Sequence, residues 1–277
     1  MMVIEAEARR ALSRSGMPEN DYALNPYLGC QHACAYCYAM DMTRFPDGAA
    51  WGDFVIVRKN IVSLLEAEIK GKRRGIVALG TITDPYQAVE AKFRLSRGCE
   101  EVLLRNGFYT TIQTKSPLVL RDLDLLKAHR DMVDVGLTIT TLDMEAALRV
   151  ERKTPSPEAR ARALRELARN GIRTWIFYGP IIRGYNDSRE EAERIIGLAA
   201  ETNSEIFFDR YNRHRLSDME MSRVFGGLSV EPGGKWYSEI SSWIVERCRR
   251  EGVRVRVQWK ESRHTLRSTS LDDFSGQ

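Results

Sequence analysis

The chain has 277 residues, with 42 basic against 38 acidic side chains and a formal net charge of +4. Hydrophobic residues make up 43% and charged residues 29%, as in soluble globular proteins, and no apolar run is long enough to span a bilayer. This length suits one large α/β domain or two small ones, and the slight basic excess does not by itself indicate nucleic acid as a partner.

Cysteine usage indicates a reducing environment. The chain has five cysteines, an odd and low number, and its N-terminus, MMVIEAEARR, lacks the apolar segment of a secretion signal. We therefore expect a cytoplasmic protein with reduced thiols rather than a disulfide framework.

The first motif along the chain is GCQHACAYCYA, which places Cys30, Cys34 and Cys37 within eight residues. Cysteine thiolates are the usual protein ligands of a cubane of four irons and four sulfurs. Three thiolates would hold three irons and leave the fourth open to a substrate or cofactor. A zinc site would need a fourth ligand, and the neighbouring candidate, His32, lies between two of the cysteines. The motif therefore predicts an iron–sulfur centre.

After this motif, short β-branched segments alternate with longer helical patterns, which indicates a parallel sheet. Strands are predicted at residues 76–81, 108–114, 133–140, 172–178 and 205–210, with an edge strand at 253–259. Helices are predicted at residues 60–71, 90–106, 121–130 and 236–250. Two of these helices contain the remaining cysteines, Cys99 and Cys248, on apolar faces, so we interpret both as core residues.

Two further helices have capping signals. Ser156 precedes Pro157, the pattern of an N-cap followed by proline at the first helical position, and Asn170–Gly171 is a stop signal. Ser188 with Glu191 three residues later predicts a capping box that opens the next helix.

At the cysteine motif the chain resembles the radical S-adenosylmethionine (SAM) superfamily, whose signature is CxxxCxxC with an aromatic residue, here Tyr36, before the last cysteine. The stretches TDPYQAVE, TKSPLVLRDLDLL, LTITTLD and PIIRGYND extend the resemblance, over residues 20–210, to the subgroup related to spore photoproduct lyase. The resemblance implies an α/β fold, a partial (β/α)6 TIM-like barrel. It suggests an N-terminal extension of residues 1–24, a barrel core of residues 25–212, and a C-terminal extension of residues 213–277 packed on the barrel.

The resemblance also implies the chemistry. A [4Fe-4S] cluster held by Cys30, Cys34 and Cys37 would bind SAM at its free iron. One electron from the reduced cluster would split the sulfonium to a 5′-deoxyadenosyl radical, which abstracts hydrogen from a substrate that the motifs do not identify. The implied partner is a one-electron reductant such as flavodoxin or ferredoxin. The cofactors supply this chemistry, and the protein positions them. Whether the reaction is of the lyase or the transferase type stays open.

Five side chains are expected at SAM: Tyr36, Thr83, Lys115, Thr138 and Thr140. The resemblance places Tyr36 at the adenine, and Lys115, at the end of a predicted strand, would pair with the SAM carboxylate. Thr140 shares a strand face with Thr138, because side chains alternate along a strand, and both could bind ribose hydroxyls. The structural alternatives are a β-turn at Asp84–Pro85, a solvated loop lysine, and threonines chosen for their strand propensity.

One departure and two alternatives limit the resemblance. Spore photoproduct lyase has a cysteine near its second strand end that returns a hydrogen atom to its product radical, whereas residues 76–90 contain none. The first alternative is an enzyme like spore photoproduct lyase that acts on nucleic acid. It would need a groove lined by arginines, here Arg210, Arg213, Arg215 and Arg254. The second alternative is a non-enzymatic iron–sulfur or zinc protein.

Four tyrosines at or just past predicted strand ends are candidate pocket residues: Tyr86, Tyr178, Tyr185 and Tyr211.

Overall fold

The structure, a computed structural model, describes residues 1–226 and 234–257, and its centre is a mostly parallel β-sheet. Its strands are β1 Met2–Ala6, β2 Leu12–Arg14, β3 Tyr22–Leu24, β4 Tyr27–Leu28, β5 Phe54–Arg58, β6 Ile76–Leu79, β7 Tyr109–Thr114, β8 Val133–Thr138, β9 Arg173–Ile181, β10 Glu205–Arg210 and β11 Val255–Val257. Its helices are α1 Ala39–Met42, α2 Ile61–Glu68, α3 Glu90–Phe93, α4 Leu95–Arg105, α5 Leu123–Ala128, α6 Met144–Val150, α7 Pro157–Arg169, α8 Arg189–Glu201, α9 Arg215–Val224 and α10 Lys235–Arg250.

Eight strands form one sheet in the order β11-β10-β9-β8-β7-β6-β3-β2. From β3 to β10 every neighbouring pair is parallel, which gives six parallel strands joined by helical segments. β11 extends the sheet in parallel beyond β10, and β2 pairs antiparallel with β3 at the other edge. Within the described residues the two edges do not pair with each other. The predicted partial (β/α)6 barrel is therefore confirmed.

A second, smaller sheet is formed by β1, β4 and β5, whereas β2 and β3 of the main sheet lie between β1 and β4 in sequence. Its central strand is β5, which pairs in parallel with β1 and antiparallel with β4. Strand β1 pairs with β5, which lies in the predicted core, and β2 pairs with β3, which leads into it. Residues 1–24 are therefore integrated into the two sheets. The division of the chain at residues 24 and 212 stays a prediction.

The predicted strands are all present, the one at 205–210 with the predicted ends and the others with shifted ends, and part of the predicted edge strand 253–259 lies outside the described residues. The helix predicted at 90–106 is interrupted, because Arg94 adopts a left-handed conformation with φ +54°. There the carboxylate of Glu90 accepts hydrogen bonds from the amides of Ser96 and Arg97, at 3.0 and 3.4 Å. The Glu90 side chain thus caps the start of α4, in place of the backbone hydrogen bonds that a continuous helix would make there.

The two predicted N-caps are present. The hydroxyl of Ser156 accepts from the amide of Ala159 at 3.2 Å, and that of Ser188 accepts from the amide of Glu191 at 3.1 Å. The capping box is only half formed. The Glu191 carboxylate instead accepts from the backbone amide of Leu142 and from Arg194, so it connects α8 to the end of β8.

The two faces of the main sheet have different environments. The face towards the helices is apolar and fully buried, as at Ile112, Val135, Ile176 and Phe208, and the helical cysteines Cys99 and Cys248 belong to the same core, as predicted. The opposite face is more open. There the Asp134 carboxylate accepts from the Thr111 hydroxyl at 2.6 Å and from the Trp175 indole N–H at 2.8 Å. These bonds cross neighbouring strands and fix the Trp175 ring over Gly136, where a Cβ would lie 2.2 Å from the indole.

We predict that Gly136→Ala destabilises the fold by about 1–3 kcal/mol, because the added methyl group overlaps a ring that Asp134 holds in place. The matched control is Gly197→Ala on α8, where an added Cβ meets nothing within 4 Å. That change should stabilise the protein by about 0.5–1 kcal/mol, because alanine restricts the unfolded chain. Urea unfolding measures both, and equal midpoints would contradict the packing argument.

Candidate functional site

The three predicted ligands lie in the loop that joins β4 to α1. Cys30 and Cys34 are buried, Cys37 is half-buried, and all three are free thiols. The loop begins at Gly29, whose φ is +77° and where a Cβ would lie 2.7 Å from the Phe54 carbonyl oxygen. Only glycine allows the chain to leave β4 so close to β5.

The first half of the loop is held by the segment that follows β6. The Thr83 hydroxyl donates to the Gly29 carbonyl oxygen at 2.6 Å and accepts from the Gln87 side chain at 2.8 Å. The Gln87 amide oxygen in turn accepts from the Gln31 backbone at 2.9 Å. Thr83, predicted as a SAM contact, therefore lies against the cysteine loop and helps to set its position.

Asp84 forms the predicted turn and also connects two strand ends. Its carboxylate accepts from the Thr114 hydroxyl at 2.6 Å, from the Lys115 amide at 2.7 Å and from the Tyr86 amide at 2.9 Å. One of its oxygens is 3.2 Å from Nδ1 of His32 in the cysteine loop. Burial acts to raise the pKa of Asp84, but His32 and the hydrogen bonds outweigh it and lower that pKa to about 2.

The second half of the loop is held by the segment after α6. The Ala35 amide donates to the Val150 carbonyl at 2.7 Å, and Cys34 pairs with Glu151 as an isolated antiparallel bridge. The Lys153 amide donates to the His32 carbonyl at 3.2 Å. Backbone hydrogen bonds thus fix the loop through a second segment, separate from the one that contains Thr83.

A fully buried ion pair underlies this contact. Arg160 and Glu151 have side chains with no solvent exposure and bond directly to each other. Arg160 also donates to the Thr138 carbonyl at 3.0 Å, and Glu151 accepts from the hydroxyls of Tyr36 and Thr140. The positive charge of Arg160 overcomes the effect of burial and lowers the pKa of Glu151. Three of the predicted SAM contacts are therefore gathered around this pair.

Sequence reasoning missed Arg160, because the several arginines of a helix such as α7 do not by themselves show which of them is buried. The signal was its position. Arg160 precedes Leu164 and Leu167 by four and seven residues, so it occupies the buried stripe of α7. An arginine in an apolar stripe predicts a buried carboxylate partner, which here is Glu151.

Lys115 supplies positive charge beside the loop. Its Nζ lies 5.5 Å from the centre of the Tyr36 ring, and its charge partly opposes the burial that raises the pKa of Cys34 and of Cys37. Burial acts to lower the pKa of Lys115, but the negative charges of Cys34 and Glu151 outweigh it and raise that pKa. Lys115 therefore stays cationic at the end of β7.

The three thiols strongly disfavour ionisation as they stand. Burial raises the pKa of each, and for Cys30 the charges of Asp84, Cys34 and Cys37 raise it further. The pKa of Cys34 reaches about 12. Three thiolates gathered in this loop would need a positive group among them. Among the described residues, no three cysteine, histidine or carboxylate side chains converge closely enough to hold a single metal ion.

The other candidates are four tyrosines and four arginines, and two of the tyrosines, Tyr185 and Tyr211, pack in the same cluster as Cys34 and Tyr36. Tyr86, Tyr178 and Tyr211 are fully buried, so they are not exposed pocket residues, and half-buried Tyr185 donates to the Ala146 carbonyl. The four arginines do not line one groove. Arg254 pairs with Glu205 at the start of β10, whereas Arg210 ends that strand, about 16 Å away at the usual rise per residue.

The chain matches the Radical SAM superfamily over residues 24–198. It belongs to the radical SAM superfamily. An uncharacterized protein of Methanocaldococcus jannaschii is 34% identical over 211 residues, covering 76% of this chain and 78% of that protein. An uncharacterized protein of Mycobacterium tuberculosis is 34% identical over 186 residues, which are 65% of this chain and 55% of the mycobacterial one. The predicted family is thus confirmed.

Two solved structures resemble this radical SAM protein in fold. Spore photoproduct lyase complexed with dinucleoside spore photoproduct has a TM-score of 0.69 at 14% identity, covering 93% of this chain and 82% of that one. Streptococcus suis SuiB bound to S-adenosylmethionine has a TM-score of 0.60 at 11% identity, covering 93% and 50%.

Membership confirms the predicted enzyme class and cofactors, because radical SAM enzymes use a [4Fe-4S] cluster and SAM and need a reductant and a substrate. In the part of the chain that the structure describes, no helix is both long and apolar enough to cross a bilayer.

We predict that Arg160→Leu costs about 3–5 kcal/mol of folding free energy, because it leaves the Glu151 carboxylate buried without its cation. The double variant Glu151→Gln/Arg160→Leu should recover a large part, since an amide can still bond Tyr36 and Thr140. Urea unfolding of the apoprotein measures this. Arg162→Leu is the control on the same helix, since its partner Glu158 is exposed and the loss should be under about 0.5 kcal/mol. Equal losses at Arg160 and Arg162 would contradict the assignment.

We also predict a stability change at low pH from Asp84. Its folded-state pKa of about 2 is below the ordinary value of about 3.9. The ionised Asp84 carboxylate therefore stabilises the fold at pH values above that ordinary pKa. This contribution is lost as pH falls from about 4 towards 2. The difference in unfolding free energy between the native chain and Asp84→Asn should therefore narrow over this range. If the unfolding free energies of the two proteins instead fall in parallel over this pH range, Asp84 is not the group responsible.

Proposed function

We propose that Cys30, Cys34 and Cys37 hold a [4Fe-4S] cluster at which SAM is bound and reductively cleaved, so that hydrogen is abstracted from a substrate still to be identified. The observation that carries the proposal is the group of three free thiols in one loop, two buried and one half-buried, with hydrogen bonds to the loop from two separate segments. Each thiol has a raised pKa and would release its proton only to a positive group between them.

A cubane suits this loop better than a single ion does. Each thiolate of a cubane binds a different iron, so the sulfurs need not converge on one point. The positive irons would compensate the charge that burial and mutual repulsion now disfavour. Lys115 and Arg160 add positive charge at the Cys34 side, where both act to lower its pKa.

For SAM we propose contacts from Tyr36, Thr83, Lys115, Thr138 and Thr140. Lys115 is the cation for the SAM carboxylate. Tyr36 uses its hydroxyl to bond Glu151, so its ring is the part left for the adenine. Thr83 both donates and accepts a hydrogen bond within the loop, which leaves one lone pair for the cofactor amine.

The cluster and SAM, when bound, supply a 5′-deoxyadenosyl radical that removes a hydrogen atom from the substrate. The protein positions and shields the site. Glu151 and Arg160 fix the loop, and the buried packing around Tyr36 excludes water. We propose a flavodoxin or ferredoxin as the electron donor and, from the reduced cysteines, a cytoplasmic location.

The substrate side of the site is proposed to be the open face of the sheet. Gln113, Trp175 and Phe177 are half-buried there, and Gln113 donates to the Thr138 hydroxyl at 3.2 Å. These residues lead along the strands to the end where Lys115 lies. Spore photoproduct lyase binds a dinucleoside photoproduct and SuiB a precursor peptide, so both a nucleic acid and a peptide are to be tested here.

We predict that Cys30→Ala, Cys34→Ala or Cys37→Ala abolishes cluster assembly. Anaerobic reconstitution should give about four irons per native chain, and reduction with SAM present should release 5′-deoxyadenosine. The matched controls are Cys99→Ala and Cys248→Ala, which remove thiols buried in the helical core and should keep both signals. Iron and sulfide analysis with product chromatography measures the outcome. Zinc in place of iron, or a cluster that persists in any of the three variants, would refute the proposal.

A further inference from the structure

A cleft opens beside the cysteine loop, away from the side chains proposed for SAM. Its volume is about 210 Å³, and none of Tyr36, Thr83, Lys115, Thr138 and Thr140 lines it. Its walls include Cys34 and Trp51 from the loop region, Arg152 after α6, and Met219 and Arg223 from α9. The proposed cluster ligand Cys34 is therefore part of the wall of a cleft that none of the side chains proposed for SAM lines.

The cleft has a positively charged rim. Arg152 and Arg223 are exposed, and both pair with the single carboxylate of Glu220, Arg152 at 2.7 Å. Two cations that share one anion leave net positive charge at the opening. The nearby guanidinium of Arg149, one helical turn before Arg152, lies over the Phe225 ring at 5.1 Å. A negatively charged partner is favoured at such a rim.

The centre of this surface is apolar. Met40, Phe45 and Met219 line the cleft, and Met219 is 47% exposed. Trp51 lines the cleft, and its buried indole N–H has no hydrogen-bond partner among the described residues. An apolar centre with a charged rim is typical of protein interfaces, and those of electron-transfer partners are small.

Helix α9, which forms one wall of the cleft, contacts the segment that follows the cysteine loop. The Asp41 carboxylate on α1 accepts from the Leu216 amide at the start of α9, at 3.0 Å. The ring of Tyr38, next to Cys37, lies 6.0 Å from that of His214. Helix α9 is thereby held against the helix that follows the cysteines, and the outer wall of the cleft keeps a fixed position relative to Cys34.

We propose that an acidic one-electron carrier protein docks on this cleft and delivers its electron to the cluster through the Cys34 side. The proposal rests on the proposed function, because it requires a cluster at Cys34. One electron leaves the reduced carrier and enters the oxidised cluster, and no bond is made or broken. Electron transfer slows steeply with distance, and this cleft is lined by Cys34, one of the proposed cluster ligands.

The test compares a protein donor with a small one. The native chain and Arg223→Glu are reconstituted, and cluster reduction is followed by EPR with reduced flavodoxin or with photoreduced deazaflavin. With flavodoxin, Arg223→Glu should be slowed about tenfold at low salt, and the native rate should fall as salt rises. With deazaflavin the two proteins should be reduced equally fast, because a small reductant needs no docking surface.

The matched control is Arg105→Glu, which reverses an exposed arginine that pairs with Glu66 at 2.7 Å on another surface. It should leave the flavodoxin rate unchanged. The proposal is overturned if Arg223→Glu is reduced by flavodoxin at the native rate, if both donors slow equally, or if sedimentation shows that the cleft joins two copies of this chain. A native protein whose cluster is not reduced by deazaflavin would instead count against the proposed function.

Discussion

The buried ion pair between Glu151 and Arg160 is the interaction on which the candidate site depends. Two charges without solvent exposure are tolerated only because each has several hydrogen-bond partners. Those partners are Tyr36 in the cysteine loop and Thr138 and Thr140 at the end of β8. One electrostatic contact therefore joins the loop of the predicted ligands to the strand end of the predicted SAM contacts.

Charge balance explains why this loop suits a metal cluster. Asp84 and Glu151 concentrate negative charge beside the cysteine loop, and Lys115 and Arg160 lie close to it as cations. The carboxylates are compensated, since their pKa values are lowered, whereas the thiols are not. The site therefore keeps its carboxylates ionised, whereas its thiols would ionise only beside a bound positive centre.

The two sides of the cysteine loop are suited to different tasks. The inner side faces the strand ends, where hydroxyls and one lysine gather, and the outer side faces α9 and a cleft with a cationic rim. An enzyme of this superfamily needs both an electron and a substrate at one cluster. Under the two proposals above, separate approaches would let a protein donor act while the barrel face is occupied.

The sequence by itself determined the family, the cysteine loop, the parallel α/β order and the N-caps at Ser156 and Ser188. These features depend on local spacing, on periodicity and on residues close together in the chain. Tertiary structure alone decided the break at Arg94, the turning of Glu191 towards Leu142, and the pairing of Arg160 with Glu151. It also separated Arg254 from Arg210, although both are basic residues in the last third of the chain. The physical reason is that burial and charge pairing depend on which elements pack together, and that packing is not encoded in the spacing of any one segment.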